Sequence, residues 1–247
     1  MFIFLGENYK MKKAILFDAY GTLFNEGKES VPIIAEDIVR KFELKTSPQE
    51  FFDEWKAKYL CIEERVFFNR QPFKTIKEIN LESLASVFEK FSVKGSPSEF
   101  IDKLFYLWSF PKLFSEIRGV LSELKKDYVL GILSNTENKT LFSAVKYTGI
   151  EVDYILTSEE AKIYKPNSEI FLRACNDLGL NQNEAIYVGN SLSDIIGAKK
   201  AGLTMIHANR RRELLSNRIY LPDYEIKSLR PLPKIMRKIK NGKLAGI

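Results

Sequence analysis

The stretch Ala14-Ile15-Leu16-Phe17-Asp18-Ala19-Tyr20-Gly21 decides how the rest of the chain is read. Four successive apolar residues without polar alternation describe a strand buried on both faces. The carboxylate at its end and the glycine shortly after describe an opening loop. The same pattern recurs outward from it. Val129-Leu130-Gly131-Ile132-Leu133 runs into Ser134-Asn135, Tyr154-Ile155-Leu156-Thr157 is a third run, and Ala185-Ile186-Tyr187-Val188 ends at Gly189-Asn190. Thr204-Met205-Ile206-His207 is a fifth, and Tyr224-Glu225-Ile226 a short sixth. Between them, apolar residues at helical spacing fill 117–125, 138–147, 168–178 and 194–201, with Gly179 and Gly202 as stops. Strands alternating with helices of this length imply βαβ units and an α/β, doubly wound parallel sheet.

Residues 27–109 break that rhythm. They hold helical patterns at 33–42, 48–66, 79–91 and 97–108, and Pro48 and Pro97 stand where a first helical turn tolerates proline. This is read as a helical module inserted after the first strand. The core is then 11–26 plus 110–247. Residues 1–10 are an extension before a second Met, Met11, and Lys12-Lys13. They lack the cationic start and long apolar run of a secretory signal.

Composition removes several chemistries. The chain has 247 residues, one His and two Cys. A single His207 cannot build a His-rich metal site. Cys61 and Cys175 offer neither a CxxC nor a disulfide framework, which fits a reducing, cytoplasmic setting. Both thiols are expected to be buried, and His207, at a strand end, is expected to be packing or solvent-capped rather than catalytic. No apolar run is long enough for a membrane span. The net charge is +6, but seven cations and no acid lie from Lys227 onward, so the remainder nets −1. That tail, like Arg210-Arg211-Arg212, is read as solvated surface in preference to a nucleic-acid or anionic-partner surface.

Ligands bind outside the carboxyl ends of strands in such sheets. Asp18, Ser134-Asn135, Lys165 and Asn190 through Asp194 all fall there. A strand-end carboxylate can act as a nucleophile. Ser134, Asn135 and neighbouring N–H groups suit an anionic substrate. Lys165 would keep nearby carboxylates ionised. Asp194 can fix Lys165, hold a metal or orient water.

As a set these segments resemble the haloacid dehalogenase superfamily. The first motif is carried by Phe17-Asp18-Ala19-Tyr20-Gly21-Thr22-Leu23-Phe24 and the second by Ile132-Leu133-Ser134-Asn135-Thr136. Ile163-Tyr164-Lys165-Pro166 resembles the third, and the stretch from Tyr187-Val188-Gly189-Asn190 to Asp194-Ile195-Ile196-Gly197-Ala198 the fourth. The resemblance implies a Rossmann-like core with a helical cap over the active site. It implies a hydrolase in which Asp18 attacks a small anionic substrate and forms a covalent aspartyl intermediate, which water then releases. The implied catalytic set is Asp18, Tyr20, Ser134, Lys165 and Asp194. Thr22, Asn135, Ser191 and Lys56 are the implied substrate contacts. Asp18, the Tyr20 carbonyl, Asn190 and Asp194 would be the ligands if Mg²⁺ binds.

The departures divide the readings. Tyr20 stands where phosphatases of the superfamily carry the Asp that protonates the leaving alcohol. Asn190 stands where they carry a magnesium-binding Asp, and hard Mg²⁺ favours carboxylate. The Tyr20 departure resembles the 2-haloacid dehalogenases, since halide leaves without a proton, and with Asn190 the balance of two carboxylates and one ammonium suits a metal-free carboxylate nucleophile better than a magnesium site. Against that, Phe171 replaces a usual Tyr, Trp55-Lys56 replaces a Trp-Arg of the cap, and Val188-Gly189-Asn190-Ser191 resembles the phosphatase form. The leading expectation is a phosphoester or related hydrolase. The alternatives are a 2-haloacid dehalogenase, and a catalytically altered protein that binds an acidic partner through the tail.

Overall fold

The computed structural model describes residues 14–25, 30–67, 71–212, 214 and 219–240. The extension at 1–10, Met11, Lys12-Lys13 and Lys243 lie outside the described residues, as does the start of the inserted module at 27. Six strands form one parallel sheet: β1 (Ala14–Phe17), β2 (Val129–Ser134), β3 (Tyr154–Thr157), β4 (Ala185–Gly189), β5 (Thr204–Ala208) and β6 (Tyr224–Ile226). Their spatial order is β3-β2-β1-β4-β5-β6, the doubly wound order of a Rossmann-like sheet. Four cap helices follow β1: α1 (Ser30–Lys41), α2 (Pro48–Phe67), α3 (Ile76–Lys90) and α4 (Pro97–Ser109). The core adds α5 (Ile117–Leu124), α6 (Asn138–Thr148), α7 (Ser158–Ala161), α8 (Ser168–Asp177), α9 (Leu192–Lys200) and α10 (Leu232–Lys240).

The strands read as continuous apolar runs because each of their faces meets a helical layer. Ile15, Phe17, Leu130, Ile132, Ile186 and Val188 point into one cluster with residues of α5, α6 and α10. Leu16, Leu133, Tyr187 and Met205 point the other way, onto α8 and α9. This two-residue alternation is the strand pleat, hidden in a sequence where both sides are buried. The cap has its own core, in which Ile34, Ile38, Phe51, Trp55, Ile79, Leu84 and Ile101 converge. Phe51 and Trp55 are buried there, whereas Phe52, Tyr59 and Phe67 are partly buried around it; Phe68 lies outside the described residues.

Two features were not legible. The helix α7 is one turn, too short for a periodic signal. Thr157 caps it, accepting from the Glu160 N–H. The basic tail is not simply solvated: Leu232 and Met236 of α10 are buried against the core, while Arg237 pairs with Glu123. Cys61 also departs from expectation, since it is exposed on α2; Cys175 is buried. No helix among the described residues is long and apolar enough to cross a membrane.

Register sets the site. Phe17 lies opposite Ile132 of β2 and Val188 of β4. The Asp18 N–H donates to the Val188 carbonyl at 2.8 Å. Asp18 therefore emerges at the centre of the sheet, flanked by the ends of β2 and β4.

Candidate active site

A single ammonium organises the strand ends. Lys165 Nζ donates to Asp18 Oδ1 at 2.7 Å and to Asp194 Oδ1 at 2.6 Å. The Leu133 carbonyl lies at 3.3 Å and the Tyr187 hydroxyl at 2.9 Å. Lys165 is 2% exposed, Asp18 7% and Asp194 0%, so two carboxylates and one ammonium share a nearly dry site. An isolated buried charge would be driven neutral, and mutual pairing is what keeps these ionised. Burial works against the ammonium, but Asp18 and Asp194 outweigh it and hold Lys165 above its ordinary value. Burial likewise works against Asp194, but Lys165 and Ser191 hold its carboxyl below the usual range. Asp18 goes the other way. Burial pushes it up to about 6, against the pull of Lys165 and with the Asp194 charge adding to the rise.

Local structure explains these positions. Asn135 clasps the loop that carries Lys165: its Nδ2 donates to the Lys165 carbonyl at 3.0 Å, and its Oδ1 accepts from the Lys165 N–H at 2.9 Å. Asp194 sits in the first turn of α9 in a reciprocal capping box with Ser191. Its Oδ2 accepts from the Asn190 N–H at 3.1 Å, the Ser191 N–H at 2.9 Å and the Ser191 hydroxyl at 2.6 Å. Gly189 permits this closeness, because a Cβ there would meet Asp194 Cγ at 2.6 Å. Gly21, at φ +84°, likewise leaves room for Asn190, whose Nδ2 would be 2.1 Å from a Cβ.

Several expected roles change with the geometry. Asn135 spends its side-chain amide on the Lys165 backbone and Ser191 its hydroxyl on Asp194. The Tyr20 hydroxyl donates to the Trp108 carbonyl at 2.8 Å, which directs its proton to the end of the cap. Lys56 is not joined to the cluster. It is exposed on α2, and Trp55 beside it turns inward to donate to the Ser83 hydroxyl at 3.0 Å. Thr22 is buried, with its hydroxyl 3.5 Å from Asp18 Oδ2, the outer limit of a hydrogen bond. Ser134, 2% exposed, closes β2 beside Asp18. Of its two expected settings, packed or solvent-capped, His207 takes the packed one: it is buried, with Nε2 3.3 Å from the Asn190 carbonyl and Nδ1 3.3 Å from Glu225.

Of the four candidate magnesium ligands, Asp194 has both oxygens engaged, and Asn190 brings no charge. Asp18 Oδ2 and the Tyr20 carbonyl complete the set. Among the described residues there is no group of three or more His, Cys, Asp or Glu able to hold a metal.

Tyr187 and Arg210 belong to the site's support and were missed. The Tyr187 hydroxyl accepts from Lys165 and lies 3.0 Å from both the Leu133 carbonyl and Asp194 Oδ1, one of which it serves as donor. In sequence it is one more apolar-looking residue in a buried strand. Arg210 was counted as surface charge. It instead bonds Glu116 at 2.7 Å and the Thr22 carbonyl at 2.9 Å, with its guanidinium 3.6 Å over Phe114. No local sequence signal separates it from Arg211.

Fold and site together define a capped, doubly wound α/β protein whose strand ends hold a carboxylate–lysine–carboxylate centre. The chain belongs to the haloacid dehalogenase-like hydrolase family, whose model matches residues 12–202. It is 32% identical to an (S)-2-haloacid dehalogenase 4A of Burkholderia cepacia, over 44% of this chain and 49% of that protein. The match thus spans about half the length of that curated relative. It is 23% identical to the N-acylneuraminate-9-phosphatase of Mus musculus over 92% of this chain and 94% of that one. The solved L-2-haloacid dehalogenase from Xanthobacter autotrophicus with chloropropionic acid covalently bound superposes with a TM-score of 0.69 at 22% identity, covering 92% and 99% of the two chains.

Proposed function

We propose that this protein is a metal-independent hydrolase that displaces a leaving group from carbon in a small carboxylic acid, with 2-haloacids as the substrate class. One observation carries this: Lys165 holds the place of a cation between Asp18 and Asp194, and Asp194 has no oxygen left for a metal. The donor set thus does not suit magnesium, and no step is routed through it.

Asp18 Oδ2, the oxygen that Lys165 does not bond, attacks the carbon bearing the halogen. The carbon–halogen bond breaks, halide leaves with the bonding pair, and an aspartyl ester forms. Water then adds to the Asp18 carboxyl carbon. The ester oxygen leaves with one proton of that water as the hydroxy acid, the second proton passes to solvent, and Asp18 is regenerated as the carboxylate. Lys165 offsets the negative charge that Asp18 carries before attack and after release. The Ser134 hydroxyl, with N–H groups at the start of α6, receives the substrate carboxylate. Halide needs no acid, which agrees with Tyr20 giving its proton to Trp108. The name of the Burkholderia relative and the bound acid in the Xanthobacter structure support the same class.

The test is halide release from 2-chloropropionate with a chelator present. Retained release supports the reading, and its absence at every pH sinks it. A second reading, phosphoester hydrolysis, is favoured by the near full-length match to the mouse phosphatase and by Val188-Gly189-Asn190. It calls for phosphate release from p-nitrophenyl phosphate that depends on added Mg²⁺. A cytoplasmic setting is supported by two free cysteines. A binding role through the tail has less support, because α10 is docked through Leu232 and Met236.

A further inference from the structure

Just beyond the catalytic cluster, the chain buries polar atoms that nothing satisfies. Thr136 is 2% exposed and Glu137 7%. Thr136 Oγ1 and Glu137 Oε2 are both buried without a hydrogen-bond partner among the described residues. Each such atom forfeits its hydration for nothing, a cost native proteins accept at few positions. Two on adjacent residues call for a specific explanation.

Their location supplies one. The Asn135 clasp makes residues 134–137 run beside Tyr164-Lys165. Just past that clasp, both segments reach the cap. Glu137 Oε1 accepts from the Lys77 N–H of α3 at 2.6 Å, and the Tyr164 hydroxyl donates to the Lys74 carbonyl at 2.5 Å. Thr136 and Glu137 therefore sit where cap meets core, two and three residues beyond Ser134. The neighbourhood is polar. The Tyr59 hydroxyl of α2 and the Tyr164 hydroxyl are both raised by burial and, further down, by the Glu137 charge. Burial pushes Glu137 itself up to about 7, against the pull of the Lys77 N–H.

We propose that Thr136 and Glu137 form a polar subsite at the cap–core seam that receives a hydrogen-bond donor, hydroxyl or amino, borne by the substrate away from the reacting carbon. Glu137 Oε1 already accepts from Lys77; above pH 7 the carboxyl is ionised and Oε2 is an acceptor, and the Thr136 hydroxyl can accept as well, so a donor is the complement both can take. This deepens the proposed function and rests on it: the preferred acid is a functionalised one rather than a bare haloalkanoate. Trapped water is the competing occupant, and it would give no discrimination between ligands.

The test is calorimetric binding at pH 8, where the Glu137 carboxyl is ionised, of propionate, 3-hydroxypropionate and 3-aminopropionate to the full chain; none of them carries a halide. The wild type should bind the hydroxy or the amino acid about ten-fold tighter than propionate. A gain for the amino acid alone assigns an ammonium to Glu137, and a gain for the hydroxy acid assigns a neutral donor. In Thr136→Val and Glu137→Met the preference should fall to near one. Should Glu137→Met fail to fold, Thr136→Val decides. Equal binding by the wild type, no binding of any of the three, or a preference that survives in a folded variant overturns the subsite. Halide release assayed in parallel separates the two readings. Release without preference sinks only the subsite, and preference without release sinks only the dehalogenase reading.

Discussion

At the scale of single residues, charge placement rather than residue type decides the chemistry. In the proposed reaction Asp18 must be ionised to attack, and burial raises its carboxyl to about 6. The deprotonated form is the active one, so kcat/KM should climb about ten-fold per pH unit below 6 and level off above it. A pH profile of halide release checks this, and a flat profile from pH 4 to 8 contradicts it. Tyr20 gives a second prediction. If its hydroxyl only ties the loop to Trp108, Tyr20→Phe should keep halide release within about three-fold and lose about 1 kcal/mol of stability. A loss of ~100-fold or more would instead assign it general-acid work. Asp18, Lys165 and the Asn190 departure were all legible as residue types beyond the strand ends. The direction of the Tyr20 hydroxyl was not, because Trp108 lies 88 positions away and packing sets the contact.

At the scale of elements, helix starts hold the site. Ser191 caps α9 and bonds Asp194 at once. Ser191→Ala should therefore lower stability by about 1 kcal/mol, as a lost cap does. It should also reduce turnover, since Asp194 keeps fewer donors on Oδ2. Urea unfolding and steady-state kinetics on one preparation test both. Unchanged kinetics would show that Lys165 and Tyr187 alone fix Asp194. The expected helices were found within a few residues of their predicted ends, because amphipathic periodicity, prolines and glycines mark them locally. The α7 turn escaped notice because four residues carry no period, and its Thr157 cap looks like one more strand residue.

At the scale of the whole molecule, cap and core keep separate apolar cores, and Tyr164 belongs to the cap's although the core carries it. Its ring stacks between Phe67, at 4.1 Å, and Phe73, at 5.0 Å, between ring centres. The seam also holds the Glu137–Lys77 bond. Because Glu137 titrates at about 7 in the fold, above its ordinary value of 4.5, the folded state holds its proton more tightly than the unfolded chain. That contribution is full below pH 4.5 and is lost as pH rises through 7. Glu137→Gln, which cannot ionise, should gain on the wild type from pH 5 to 8 by up to about 3 kcal/mol. Thermal melts of both proteins across that range measure it. A constant difference between them would place the ionisation elsewhere.

The sequence by itself determined the doubly wound sheet, the inserted helical cap and the strand-end positions of Asp18, Ser134, Lys165 and Asp194. Those follow from local periodicity and from the rule that sheet ligands gather at strand ends. Tertiary structure alone decided which partner each polar atom took. Lys165 and Asp18 lie 147 residues apart, and Arg210 and Thr22 lie 188 apart. Such contacts depend on how distant segments pack, and one-dimensional spacing does not carry that information. For the same reason the hydrogen bonds of Ser191 to Asp194 and of Asn135 to Lys165 were not legible in the string of letters.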